Sequence, residues 1–123
     1  MITIQMTDSI VVLGQRLAGY VTWQVDGRQP EAVEVSAQWR TEGRGNVDSG
    51  TVHEVRTELS DSEFSSQWLT VDAPIPLTAP ITYDGKLIRI IWELHVRLDI
   101  PWGRDEKHEE RFVVVPVGSD RRV

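Results

Sequence analysis

Lys86-Leu87-Ile88-Arg89-Ile90-Ile91-Trp92-Glu93-Leu94-His95-Val96-Arg97-Leu98-Asp99-Ile100 is the stretch that decides the fold. Its even-numbered positions, Ile88, Ile90, Trp92, Leu94, Val96, Leu98 and Ile100, are all apolar, while the odd ones include Arg89, Glu93, His95, Arg97 and Asp99. Successive side chains of a strand point to opposite sides, so the alternation reads as a strand with one face in a core and the other in water. A helix fails on the same residues, because i, i+3, i+4 spacing places Glu93 and Arg97 on the stripe that carries Ile90. At about 3.3 Å per residue the segment spans roughly 50 Å. Ordinary strands are shorter, so it is expected to bend or to switch sheets partway.

Two other stretches repeat the pattern. In Ala32 to Arg40, Val33, Val35, Ala37 and Trp39 oppose Glu34, Ser36, Gln38 and Arg40. In Arg16 to Val25, Leu17, Gly19, Val21, Trp23 and Val25 face inward, with Arg16, Tyr20, Thr22 and Gln24 outward. Ile2 to Met6, Ile10 to Leu13, Thr51 to Thr57, Phe64 to Val71 and Glu110 to Val115 complete about eight strands. Composition agrees, with Val 16, Ile 9 and Thr 9 against Ala 5 and Leu 8, a balance that favours strands over helices. Turn clusters at Asp26-Gly27, Glu42 to Gly50, Asp72 to Pro76, Asp84-Gly85 and Trp102 to Glu106 separate the runs. The two Asp-Gly pairs are expected to supply positive φ, and Gly14 a bend between the first two strands. Pro74, Pro76 and Pro80 hold the chain extended, as a rigid crossover between sheets would be. These features predict an all-β sandwich in one domain covering residues 1–123.

Charge narrows the function. With 13 Lys and Arg against 19 Asp and Glu, a formal charge of -6 and no basic block longer than Arg121-Arg122, the surface is not one that gains affinity by neutralising phosphates, and no nucleic-acid partner is expected. The chain has no cysteine, which rules out a disulfide, a zinc–thiolate site and a cysteine nucleophile, and leaves a reducing compartment unopposed. Its longest apolar runs, such as Ile10 to Leu13 and Phe112 to Val117, fall far short of the roughly 18 residues of a spanning helix, so no membrane span is expected. Met1 to Gln5 has neither a basic nor an apolar leader region, and a cytoplasmic location is the expectation.

No catalytic constellation emerges. Ser49, Ser60, Ser62, Ser65, Ser66 and Ser119 lie outside any Gly-x-Ser-x-Gly elbow, and Asp61 and Glu63 read as solvated loop carboxylates rather than an acid and a base. His53-Glu54 lacks the second histidine of a helical zinc motif. The run Asp105, Glu106, His108, Glu109, Glu110 reads as a solvated hairpin rather than a convergent ligand set. Neither a metal nor another cofactor is expected. Of the five Trp residues, Trp23, Trp39 and Trp92 fall on inward positions. The position of Trp68 is ambiguous, since Phe64, Ser66, Trp68 and Thr70 compete with Leu69 and Val71 for the inner face. Trp102, between Pro101 and Gly103, either caps one end of the sandwich or presents an aromatic anchor to a partner, and folding back onto apolar neighbours is the favoured reading.

Three features in order carry a family resemblance: Gly14-Gln15-Arg16-Leu17-Ala18-Gly19 feeding a Val-rich strand, Ala79-Pro80-Ile81-Thr82-Tyr83-Asp84-Gly85 before the long strand, and Leu98-Asp99-Ile100-Pro101-Trp102-Gly103-Arg104-Asp105 before the last. The chain resembles the arrestin-like superfamily, which includes arrestins, retromer subunits and bacterial sporulation-control proteins. The matching residues are Pro80, Thr82, Tyr83, Gly85 and Trp92. The resemblance implies an all-β, immunoglobulin-like (arrestin-type) sandwich of about eight strands with Greek-key connections. It also implies a non-catalytic role in protein–protein interaction, as a cytoplasmic bacterial adaptor or regulatory scaffold. Typical members carry two sandwiches in tandem and this sequence has length for one, so functions that need two domains do not transfer. A lone sandwich is expected to leave a strand edge open. Ile2 to Leu13 is the expected edge, pairing with a second copy or a partner strand through Ile2, Ile4 and Ile10; Trp102 is a further candidate contact. The alternative is a sandwich that binds carbohydrate or another small ligand, for which exposed aromatics would be the sign.

Overall fold

The computed structural model describes residues 1–24, 30–45, 47–59 and 68–118, and among these every regular element is a strand. In chain order they are β1 (Ile2–Met6), β2 (Ile10–Val12), β3 (Arg16–Trp23), β4 (Ala32–Gly43), β5 (Ser49–Glu58), β6 (Trp68–Pro74), β7 (Tyr83–Asp84), β8 (Ile88–Asp99) and β9 (Glu106–Val115). They build a three-stranded sheet of order β1-β3-β6 and a six-stranded sheet of order β2-β9-β8-β4-β5, with β7 also beside β8. The chain changes sheet between β1 and β2, between β2 and β3, between β3 and β4, between β5 and β6 and between β6 and β7, the Greek-key habit of sandwiches.

The alternating segments land as their pattern predicts. From the small sheet, Leu17, Val21, Trp23, Val71 and Ala73 are buried. They meet Val33, Val35, Ala37, Trp92, Leu94, Val96, Leu98, Phe112 and Val114 of the large sheet. Trp92 is fully buried, tilted against Phe112 with ring centroids 5.6 Å apart. Its indole N–H donates to the Pro80 carbonyl at 2.9 Å, satisfying the one polar group of a buried Trp. Trp39 is only half-buried at the core margin. Trp68 is resolved as outward-facing, because Leu69, Val71 and Ala73 take the inner side of β6.

β8 does not switch sheets. Its neighbour switches instead, from β7 at Arg89 and Ile90 to β9 from Trp92 to Leu98. β7 is a two-residue strand without a periodic signature. Nor is the outer face of β8 uniformly wet: Ile91 and Glu93 are buried there, Glu93 at 9% exposure. The Gly85 of the Asp84-Gly85 pair is not among the positive-φ residues. A side chain there would collide with the Tyr83 ring, 2.4 Å from an added Cβ. Residues Asp26-Gly27 and Phe64 to Gln67 lie outside the described residues.

The crossover after β6 is fastened at both ends. Gly14, at φ +86°, donates its N–H to the Ile75 carbonyl at 2.8 Å, and Ile75 donates to Gln15 at 2.9 Å. Farther on, the Thr82 N–H donates to Val114 at 2.9 Å, and Val114 donates back to the Thr82 hydroxyl at 2.8 Å. Gly19 has a different duty. An added Cβ would stand 2.2 Å from the Gln5 carbonyl oxygen, so the close approach of β1 to β3 requires the absence of a side chain.

Candidate functional site

The hairpin from β8 to β9 is the most exceptional local structure. Pro101 and Trp102 form its tip, and the Gly103 N–H reaches back to the Ile100 carbonyl at 3.3 Å. Pro at the second turn position and positive φ at the third are the signature of a type II turn, whose third position favours Gly or Asn. Here that position is Trp102, at φ 59°, and the ring is 95% exposed. The expected cap over the core is therefore corrected. The side chain stands in water. A bulky residue in this region costs about 1 to 3 kcal/mol and persists only where the surroundings hold it. Asp105 supplies part of that hold, accepting from the Ile100 N–H at 3.2 Å and from the Arg97 guanidinium at 2.7 Å.

The early segment does not form one edge. β1 is an edge of the small sheet, whereas β2 pairs in parallel with Val113, Val114 and Val115 at the margin of the large one. Ile2 is already in the core at 8% exposure, so strand pairing has nothing left to bury there. Ile4 and Ile10 are half-buried. The backbone of β1 remains the open feature, and Ile4 is the inward residue of its free centre.

The two outer faces differ in chemistry. On the large sheet, Arg97 bridges Glu34 at 2.5 Å and Asp105 at 2.7 Å, while Arg56 reaches Glu58 at 2.7 Å, Asp99 at 2.9 Å and Glu34 at 3.2 Å. Arg40 pairs with Glu42 and, at 3.3 Å, with the buried Glu93, which also faces His95 at 3.4 Å. Hydrogen bonding to Glu34 raises the Arg97 pKa, and bonding to Glu58 and Asp99 raises that of Arg56. The hydrogen bond from Arg40 lowers the Glu42 pKa, with the charges of Arg40 and Arg89 adding to it. A hollow of about 260 Å³ between Glu34, Gln38, His95, Arg97, Lys107 and Glu109 lies within this charged field.

On the small sheet the outward positions are Thr3 and Gln5 of β1, Tyr20 and Thr22 of β3, and Trp68 and Thr70 of β6. Cross-strand pairs Thr3–Thr22, Gln5–Tyr20, Tyr20–Thr70 and Thr22–Trp68 fix them on one surface. Tyr20 is 45% exposed and Trp68 56%. The Tyr20 hydroxyl donates to the Gln5 side-chain oxygen at 3.4 Å, and a groove of about 700 Å³ runs across this face. An ion pair, Arg16–Asp72 at 2.6 Å, joins β3 and β6 outside the groove lining. Sequence reasoning missed this face because the outward residues of the small sheet were read only as the wet side of a strand.

The run from Glu106 to Glu110 is the first half of β9 rather than a turn. Alternation then separates its members: His108 and Glu110 share one side at 3.1 Å, and Glu109 faces the other. Among the described residues, no group of three or more His, Cys, Asp or Glu is placed to hold a metal ion.

No protein-family profile and no curated protein sequence matches this chain. Among solved structures, the sporulation control protein Spo0M of Bacillus subtilis superposes with a TM-score of 0.63 at 17% identity, over 92% of this chain and 48% of that one. The chain thus spans about half the length of Spo0M. The fold is arrestin-like. A superoxide reductase, neelaredoxin of Ignicoccus hospitalis, shares the sandwich more distantly, with a TM-score of 0.54 and 10% identity over 94% of this chain and 80% of that one. At these identities the likeness concerns the arrestin-like sandwich alone; sporulation control and superoxide reduction are attributes of those proteins. No helix among the described residues is long and apolar enough to cross a membrane.

Proposed function

We propose that this arrestin-like sandwich is a non-catalytic protein-binding module, an adaptor or scaffold of the bacterial cytoplasm, and that Trp102 anchors its partner. The observation that carries the reading is the conjunction at the hairpin tip: an almost fully exposed indole on a backbone conformation that disfavours it. Neither property helps the isolated fold, whereas a rigidly displayed Trp is the kind of residue that dominates binding energy when it enters a pocket. The open edge of β1 lies at the same end of the sandwich, since the Met1 ammonium contacts Glu106, just beyond the hairpin, at 3.0 Å. It offers unpaired backbone groups to a partner strand or a second copy.

The test is Trp102→Gly. Glycine removes the φ cost while adding entropy to the unfolded chain, so the two effects oppose one another, and Tm is expected to stay within about 5 °C of wild type. Quantitative affinity capture with both proteins then reads the function. A protein retained by wild type and lost with Trp102→Gly, and whose purified form binds the wild type directly, supports the anchor. Equal recovery of every captured protein by the two baits removes Trp102 from the interface.

A further inference from the structure

The groove on the outer face of the small sheet is a separate surface, and its chemistry is unlike that of the rest of the molecule. We infer that it is a binding site for a neutral polyhydroxylated ligand, an uncharged oligosaccharide, stacked on Tyr20 and Trp68 and hydrogen-bonded by Thr3, Thr22, Thr70 and Gln24.

Charge is the first argument. Asp, Glu, Lys and Arg make up 26% of the chain, yet among the described residues none of their side chains lines this groove. Among the described lining residues, the one charge is the Met1 ammonium, already engaged by the Gln24 carbonyl at 2.6 Å and by Glu106 at 3.0 Å. An ionic ligand entering here would lose hydration without meeting a counter-charge, a cost that an uncharged ligand avoids. Geometry is the second argument. Thr22 pairs with Trp68 and Tyr20 with Thr70 across neighbouring strands, so Tyr20 and Trp68 are diagonal neighbours about 7 to 8 Å apart at the backbone. Both rings are about half exposed, which leaves aromatic surface for the C–H face of a sugar ring. The third argument is donor and acceptor balance. Threonine hydroxyls and the glutamine amide both donate and accept, as sugar hydroxyls do, and a few polar groups among apolar ones is the usual make-up of a small-ligand site. The groove is set on paired strands rather than on a loop, and the bond from Tyr20 to Gln5 limits the freedom of the ring, which reduces the ordering cost of binding.

Screening on an array of neutral and acidic oligosaccharides, followed by titration of intrinsic Trp fluorescence with soluble neutral hexasaccharides such as cellohexaose, xylohexaose and chitohexaose, tests the site. The expected result is binding of at least one neutral series with no preference for its acidic counterparts. Trp68→Ala and Tyr20→Ala should each weaken it by about tenfold or more. Tyr20→Ala also serves as the readout if Trp68→Ala fails to fold. Trp102→Gly must leave saccharide affinity unchanged, so this site and the hairpin anchor fail separately. An array with no neutral binder overturns the proposal, as does binding that survives both groove substitutions. Loss of a captured protein rather than a sugar in Trp68→Ala would assign the face to a polypeptide and equally overturn it.

Discussion

The outer face of the six-stranded sheet and the outer face of the three-stranded sheet are built from the same alternation, yet they are finished in opposite ways. On the large sheet, charges are consumed internally: Glu34 serves both Arg97 and Arg56, and Glu93 serves Arg40 and His95. On the small sheet, hydroxyls and two aromatic rings are left with little to satisfy them from within. The difference teaches where to look for binding on a sandwich. A surface whose polar groups have spent themselves on one another has little free energy left to offer a ligand, and a surface of half-exposed aromatics and hydroxyls retains it.

Both faces depend on one core, so the largest expected effect destroys the comparison altogether. Trp92→Ala removes the central ring and the donor to Pro80, and it should cost about 3 to 5 kcal/mol. Loss of cooperative unfolding by circular dichroism, or a melting point lowered by well over 10 °C (a shift of roughly 4 to 8 °C per kcal/mol being typical), is the expected outcome. A variant that melts within a degree or two of wild type would show that the core does not hang on this residue.

A smaller effect distinguishes the faces. Glu34→Gln strips one acceptor from two arginines and should destabilise by about 1 kcal/mol, less at high salt because the pairs are partly exposed. Thr70→Val on the small sheet should alter stability by less than about 0.5 kcal/mol at any salt. Chemical denaturation of the two variants in low and high salt reads the contrast, and equal, salt-independent losses would erase it.

The smallest effect is a pH slope. The hydrogen bond from Arg40 holds the Glu42 pKa below its ordinary 4.5. The folded state therefore binds its proton less readily than the unfolded chain. Its stabilisation is complete above the ordinary value and is lost as pH falls through the lower folded value. Thermal melts of Glu42→Gln and wild type between about pH 6 and pH 3 should differ most at the upper end and converge toward the lower. A gap that widens on acidification contradicts this assignment.

Most of the fold was legible because period two is a direct consequence of burying one side of a strand. Leu17, Val33, Leu94 and Leu98 are in the core for the reason their spacing gives. The misses share a cause, which is that they depend on what lies across the core rather than along the chain. Glu106, His108 and Glu110 sit opposite Leu98, Val96 and Leu94 in the register, on the core side of the sheet, yet they are polar. That contradiction hid the first half of β9. Among the described residues the small sheet has three strands, and Glu106 and Glu110 are half-buried to exposed on this flank, which tolerates charge there. Ile2 and Ile10 read as one edge in sequence because proximity along the chain conceals that β1 and β2 belong to different sheets. Trp102 was misjudged because a turn of this composition fixes the ring only through the sign of one φ angle. The groove was invisible for a related reason: its aromatics come from β3 and β6, and only the pairing of Thr22 with Trp68 brings them to one surface.

The parallel pairing of β2 with the end of β9 joins Ile10 to Val113 and Val12 to Val115, and this has a consequence for how the protein is made. A ribosome that has delivered Ile10, Val11 and Val12 must add the rest of the sandwich before their partners exist. Closing so long a loop comes late, after the local hairpins β4–β5 and β8–β9 have formed. Such non-local pairing places folding toward the slow end for domains of this size, on the order of milliseconds to seconds. Throughout synthesis, then, the Ile-Val-Val trio is an unpaired apolar strand, and it is the stretch a chaperone would have most reason to hold.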